Sequence, residues 1–506
     1  MKIRNILGLT LLISVFSCSD LNEELRDSMT REQAEAFLNN NTDVNTLLRG
    51  AYDGLRAPYM DQAQFWAAQQ HTSDETIGPT RGGDWDDNGV WRVLHTHNWA
   101  LDHSFLESTF NNLLQVVFTT TNILTFPVSP EQAAEARFIR AFVMFSLADG
   151  WNQVPFREPG GSLLEAPKVL SGSEAVAFVI SELEAIINNL PENNPTFLAN
   201  RNAARALLAK CYLNKNTMAD RTNPSFPAAD MDKVISYADQ VISSNKYSLA
   251  NNYFENFAPN NSSISTENIW TGENRGGSSS GNVRSRWFMT LHYNNNPSGW
   301  NGFTTLSDFY DKFEANDTRR GGEFPGMTDV SGLKTGFLVG QQFDQNGVEL
   351  LDRKGNKLAF TREVKAVETG NNLEVTGIRV IKYPIDYKNG DNADNDYVFL
   401  RYSDVLLMKA EALFRKGNSS EALNIVNQIR TKRGASSLTA LTAEQLLDER
   451  GRELYWEGWR RQDLIRFGSF LKAWQEKPAS GNERLLFPIP PTNLAVNPNL
   501  SQNPGY

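Results

Sequence analysis

The 506-residue chain has only two cysteines, five histidines and no surplus of positive charge. Each scarcity closes off a class of protein. Two cysteines make no disulfide framework, and a chain this long does not need one, because it buries a large core. With 49 Lys and Arg against 59 Asp and Glu, the formal net charge is −10, which excludes the basic patches that a nucleic-acid backbone calls for. No segment beyond the N-terminus approaches the ~20 apolar residues of a transmembrane helix. Also missing are a phosphate-binding glycine loop, a nucleophile elbow and a zincin motif. No cofactor is implied.

What is there begins at the N-terminus. Lys2 and Arg4 precede an apolar stretch from Ile6 to Phe16, and Ser17-Cys18 follows. That stretch is too short to span a bilayer but fits the h-region of a secretory signal. A small residue just before a cysteine at this border resembles the lipobox of bacterial lipoproteins. The resemblance implies that 1–17 is a removed signal peptide and that Cys18 carries lipid. Ser19 to Glu24 begins an acidic leader, 18–30, similar to the surface-export signal of Bacteroidota lipoproteins. Loss of Lys2 and Arg4 takes the charge from −10 to −12, so the membrane is contacted through the lipid anchor only. Cys211, in an alanine- and leucine-rich segment, reads as a small core residue.

Helical periodicity dominates both ends of the body. The spacing predicts helices over 43–55, 105–126, 131–148 (with Gly150 as a stop), 174–190, 201–213 and 231–242. From about 250 to 395 the chain turns rich in Gly, Asn, Ser and aromatics, with short strand-like runs at 337–339 and 378–383. Helix returns at Tyr402, where Ala410, Phe414, Gly417, Ala422 and Leu423 have the spacing of a tetratricopeptide unit. The fold class expected is mostly α: a tetratricopeptide-like hairpin scaffold (about 31–250 and 396–506) with a long loop-rich insertion carrying small β elements (about 250–395). Residues 31–506 read as a single domain.

Five segments resemble one family in order along the chain. They are Ala134 to Phe142 with Val154-Pro155-Phe156; Leu400 to Ala412; Glu449 to Leu454 with Glu457-Gly458, Arg460 and Asp463 to Arg466; and Phe487 to Pro490 with Gln502 to Tyr506. The lipobox is the fifth. The chain is identified as similar to the SusD/RagB family; Ser403-Asp404 and Gly451 depart from its pattern at positions expected to be conservative or solvent-facing. The resemblance implies an outer-membrane, cell-surface-facing lipoprotein. Such a protein captures oligosaccharide as the lid of a TonB-dependent, SusC-like transporter and has no catalytic activity. Peptide capture by the same architecture is an alternative, and a surface glycoside hydrolase is another.

Sugars present C–H faces ringed by hydroxyls, so their sites pair aromatic platforms with amides and carboxylates. Trp66, Trp85, Trp91 and Trp99 fall in one irregular stretch, and Trp270, Trp287 and Trp300 in another. The residues expected to bind ligand are Arg81, Trp85, Trp91, Trp287, Tyr293 and Trp300; Trp66 and Trp270, beside apolar neighbours, read as structural. His95-Thr96-His97 lacks the further ligands of a metal site, and Asp391 to Asp396 lacks EF-hand spacing. The first reads as polar loop residues and the second as a solvated loop. The charges from Glu449 to Arg466 read as ion pairs locking helix to helix. A hydrolase would need two carboxylates about 5 or 6.5–9.5 Å apart, and Asp84 to Asp87 is the one loop that hints at such a pair.

Overall fold

Side-chain caps set where four of the long helices start. In the computed structural model, which describes residues 42–278 and 281–506, the chain enters α1 (Val44–Asp53) and, after short helices at Arg56–Met60, Phe65–Gln70 and Val90–His95, α2 (Ser104–Ile123). Ser129 then caps α3 (Pro130–Trp151): its side chain accepts from Gln132 N, and the Gln132 side chain answers the Ser129 amide. The same reciprocal box, Ser171 with Glu174, opens α4 (Gly172–Ile186), and Asn200 caps α5 (Arg201–Ala219). Next come α6 (Ala228–Ile242), α7 (Tyr402–Arg415), α8 (Ser419–Lys432), α9 (Ala443–Leu454), itself capped by Thr442, and α10 (Arg460–Arg466). Expectations that rest on 1–17, Cys18 and 18–30 lie outside the described residues.

One boundary differs from the sequence reading for a packing reason. Gly150 does not stop α3, which runs on to Trp151 and ends at Asn152 in the left-handed region (φ 59°). A Cβ at Gly150 would lie 3.2 Å from the Phe487 ring, so this glycine serves close approach of the C-terminal segment.

Successive helices pack side by side from α2 through α6, and the row continues from α6 to α7 and α8. The chain therefore leaves the row after Ile242 and rejoins it some 160 residues later at the neighbouring place. Two strands clasp the excursion: β1 (Asn268–Gly272) pairs antiparallel with β2 (Tyr397–Arg401), from Asn268 opposite Arg401 to Gly272 opposite Tyr397. Trp270 of β1 sits among Phe138, Phe142 and Phe399, which anchors the clasp on α3. Within the excursion, Gly336–Leu338 pairs with Arg379–Ile381 and a single bridge joins Thr305 to Ile378, while another ties its Thr304 to Ile77 of the N-terminal part. Val44–Tyr506 forms one compact unit.

The charged C-terminal segment is not one helix. Tyr455 to Trp459 break it into α9 and α10, with Trp456 at φ 60° and Gly458 at φ 79°. Its charges are buried. Glu453 accepts from Arg401 (2.7 Å), Arg433 (2.8 Å) and Arg319 (3.0 Å), while Glu457 takes Arg401 and Lys382. These pairs lock α9 to the clasp and to the insertion. The departures Ser403, Asp404 and Gly451 do not face solvent either. Asp404 pairs with Lys210 at 2.7 Å, and a Cβ at Gly451 would meet the Arg460 guanidinium at 2.7 Å.

Candidate functional site

The insertion is short of regular structure, so its loops are held by specific ties. The chain from Phe288 to Leu291 runs back along 299–302: Trp300 N donates to Phe288 O and Asn301 N to Leu291 O, both at 2.8 Å. Gly299 sits where this loop closes, and a Cβ there would lie 2.2 Å from the Leu291 carbonyl oxygen. Arg81 holds the loop to two others. Its guanidinium donates to the Asn301, Gly302 and Leu373 carbonyls (3.1, 3.3 and 2.9 Å) and to the Thr376 hydroxyl. Burial pushes the Arg81 pKa down to about 10, against the opposing pull of the Glu368 carboxylate.

Trp300 stands at the outer edge of this construction with 46% of its surface exposed, the most exposed tryptophan among the described residues. Its ring meets Phe288 edge-on at 5.4 Å, and its carbonyl accepts from the Trp85 indole N–H at 2.8 Å. Tyr293, half-buried on the same loop, carries the Arg353 guanidinium 3.9 Å over its ring. Burial and then Asp84 push the Tyr293 hydroxyl pKa up. Arg353 is paired with Glu374, whose other oxygen bonds His292 Nε2 at 2.9 Å. Arg284 lies 4.9 Å over Phe288 and pairs with Asp391. Tyr387 donates to the Asn296 carbonyl. An exposed indole beside half-buried rings, with the exposed amides of Asn294 and Asn296 on the same loop, can stack on an apolar face and hydrogen-bond the groups around it.

Of the six residues expected to bind ligand, four come together here: Arg81, Trp85, Tyr293 and Trp300. Only Trp300 and Tyr293 offer surface. Arg81 and Trp85 lie beneath as supports; the Trp85 ring is wedged against Gly302, where a Cβ would be 2.4 Å away. Trp91 and Trp287 are elsewhere in function as well as depth. Trp91 is buried against Phe105, Phe303 and His71, with its indole N–H on Asp87. Trp287 is 2% exposed and leaves no ring face for a ligand. Trp66 and Trp270 are buried. Phe288, Arg353, Glu374 and Tyr387 were missed. They carry no local motif, and 353, 374 and 387 reach the Trp300 loop only through folding.

Three of the four clustered histidines, His71, His97 and His103, do lie in turns or loop and His95 ends a short helix, but none faces solvent. His71, His95, His97 and His103 are all buried, and burial lowers the pKa of His71 to about 3 and of His97 to about 2. His95 faces the Thr76 and Gln475 carbonyls, and His97 faces Ser480 and the Thr72 carbonyl. Among the described residues no three His, Cys, Asp or Glu side chains are grouped to hold a metal ion. The Asp391 to Asp396 segment is only partly a solvated loop. Asp394 accepts from Gly276 N at 2.7 Å, and the buried Asp396 accepts from Asn274 N at 2.9 Å and the Thr271 hydroxyl at 3.0 Å. Burial raises the Asp396 pKa to about 6. Of the acidic loop, Asp86 pairs with Arg92 at 2.6 Å and Asp87 takes the Trp91 indole.

A row of helical hairpins that carries an aromatic surface on inserted loops defines a scaffold for presenting loops to a ligand. Residues 237–506 match the model of the SusD family, and the chain belongs to that family. It is 27% identical to the starch-binding protein SusD of Bacteroides thetaiotaomicron over 418 residues, 74% of this chain and 73% of that protein. Among solved structures, a SusD superfamily protein from Parabacteroides distasonis superposes with a TM-score of 0.71 at 18% identity, over 95% of this chain and 100% of the other. Surface glycan-binding protein A from Bacteroides thetaiotaomicron, in complex with laminarihexaose, gives 0.68 at 18% identity over 91% and 98%. These likenesses show a shared fold.

Proposed function

We propose that the chain is a non-catalytic, cell-surface binding protein that captures oligosaccharide and serves as lid of a SusC-like, TonB-dependent outer-membrane transporter. Lipid on Cys18 holds it to the outer membrane, with 31–506 as one binding domain. The observation that carries the reading is Trp300, an exposed indole held out by a closed loop and surrounded by hydrogen-bonding groups. The starch-binding name of one relative and the laminarihexaose complex of another support oligosaccharide as the ligand class. The absence of a hydrolase pair is supported by Asp86 and Asp87, which are engaged with Arg92 and Trp91, and by Glu453 and Glu457, which are enclosed in the ionic network.

The test is affinity electrophoresis through gels containing polysaccharides. Trp300→Ala is expected to weaken binding by about 1–3 kcal/mol with an unchanged thermal transition, since the ring is half in solvent. Unchanged affinity would place the site elsewhere. Release of reducing sugar by the purified protein would overturn the non-catalytic reading.

A further inference from the structure

Resting on that capture reading, we infer that the surface around Trp300 takes a neutral oligosaccharide and rejects polyuronates and sulfated glycans. A guanidinium is the natural fork for a carboxylate or sulfate, so the ligand class depends on whether the arginines at the site have donors to spare. Arg353, stacked on Tyr293, directs both Nε and Nη2 at Glu374 Oε1, each at 2.7 Å. The other Glu374 oxygen is held by His292 Nε2 at 2.9 Å and by the Arg353 amide at 3.3 Å. A ligand carboxylate that displaced Glu374 would strand a largely buried carboxylate against a buried imidazole. The exchange gives up one good pair for another and adds a desolvation cost.

Arg284, Arg81 and Lys354 are engaged too, the first by a carboxylate and the other two by neutral acceptors. Arg284, over Phe288, is paired with Asp391. Arg81 directs its donors at three carbonyls and a hydroxyl inside the fold. Lys354 donates to the Asn371 carbonyl at 2.6 Å. Lys388, next to Tyr387, and Asp84, next to Trp85, are both exposed. What the surface offers a ligand is therefore ring faces and the exposed side chains of Asn294 and Asn296, the first of which also donates to the Leu351 carbonyl at 2.8 Å. These suit hydroxyls and C–H faces, while Glu374 and Asp391 compete with an anionic ligand for Arg353 and Arg284.

The experiment runs the full mature chain through native gels containing a neutral α-glucan, β-glucan or mannan, or polygalacturonate, alginate or a sulfated galactan. Retardation by at least one neutral polymer and by none of the anionic ones is the expected result. Glu374→Gln and Asp391→Asn, which free Arg353 and Arg284, are each expected to raise polygalacturonate affinity roughly tenfold or more. Thermal unfolding serves as the check on folding, and Asp391→Asn, at an exposed position, serves if Glu374→Gln does not fold. Wild-type retardation by an anionic polymer as strong as by the best neutral one overturns the inference and leaves the capture reading standing. Folded variants that gain no anion binding overturn it as well. Retardation by neither class overturns the capture reading, and the inference falls with it.

Discussion

Glu75 shows how far burial can move a single side chain. It accepts from Trp456 N at 3.0 Å and from the Gln70 amide, and burial raises its pKa from 4.5 to about 8 against the pull of Arg460. Between these values the folded chain keeps a proton that the unfolded chain releases. The stability this group contributes is therefore fully present below about pH 4.5 and lost as pH rises through about 8. Glu75→Gln keeps the shape and removes the charge, so it is expected to be the more stable form at pH 8 and to lose less stability between pH 5 and pH 8. Urea unfolding at the two pH values measures this, and parallel losses in the two proteins would refute it. Residue chemistry of this kind was only half legible in the sequence. The reading of Glu453 and Glu457 as ion-pair partners came from arginines one helical turn away, yet their actual partners, Arg401, Arg433, Arg319 and Lys382, lie far off in sequence. Likewise Trp287 and Trp300 look alike as letters. One is a core residue and the other an exposed platform, because only the second follows the glycine on which its loop closes.

At the scale of elements, the helices were legible because each needs little beyond its own periodicity. Helices α1 to α6 fall within a few residues of the expected spans, apart from the last turns of α5 and the run past Gly150. The loops around Trp300 were not legible, since they are built from ties between distant segments, such as Ile77 with Thr304 and Arg81 with Leu373. The Trp300 loop is the element on which the proposed function depends, and Gly299 is its weak point. Gly299→Ala would drive a methyl into the Leu291 carbonyl, so the loop must shift. The expected result is a loss of polysaccharide affinity similar to that of Trp300→Ala, with the far-UV circular dichroism and the unfolding transition close to wild type. Wild-type affinity would mean that the loop geometry does not govern binding.

At the scale of the molecule, the buried ionic network does more than fill space. Glu453 alone joins Arg401 on the clasp, Arg433 after α8 and Arg319 in the insertion. Glu453→Gln leaves three guanidiniums undercompensated in the interior and is expected to cost about 3–5 kcal/mol. Tryptophan fluorescence and circular dichroism should still report one shared urea transition, because the insertion and the row unfold together. Separated transitions would show that the insertion folds by itself. The clasp carries a further consequence. Gly272 and Tyr397 are cross-strand partners, so the ends of 273–396 lie only about 5 Å apart. Topologically, that stretch is a cassette entered and left at one narrow fitting, and a related scaffold that received it would also have to supply the Arg81 and Trp85 supports of the Trp300 loop. The fitting also has electrical terminals. Arg319 and Lys382 belong to the cassette, whereas Glu449, Glu453 and Glu457 belong to the frame. A transplant that lacks those two cations would leave carboxylates of the frame unmatched, so matching of charge, more than length or sequence likeness, decides which cassettes can be exchanged.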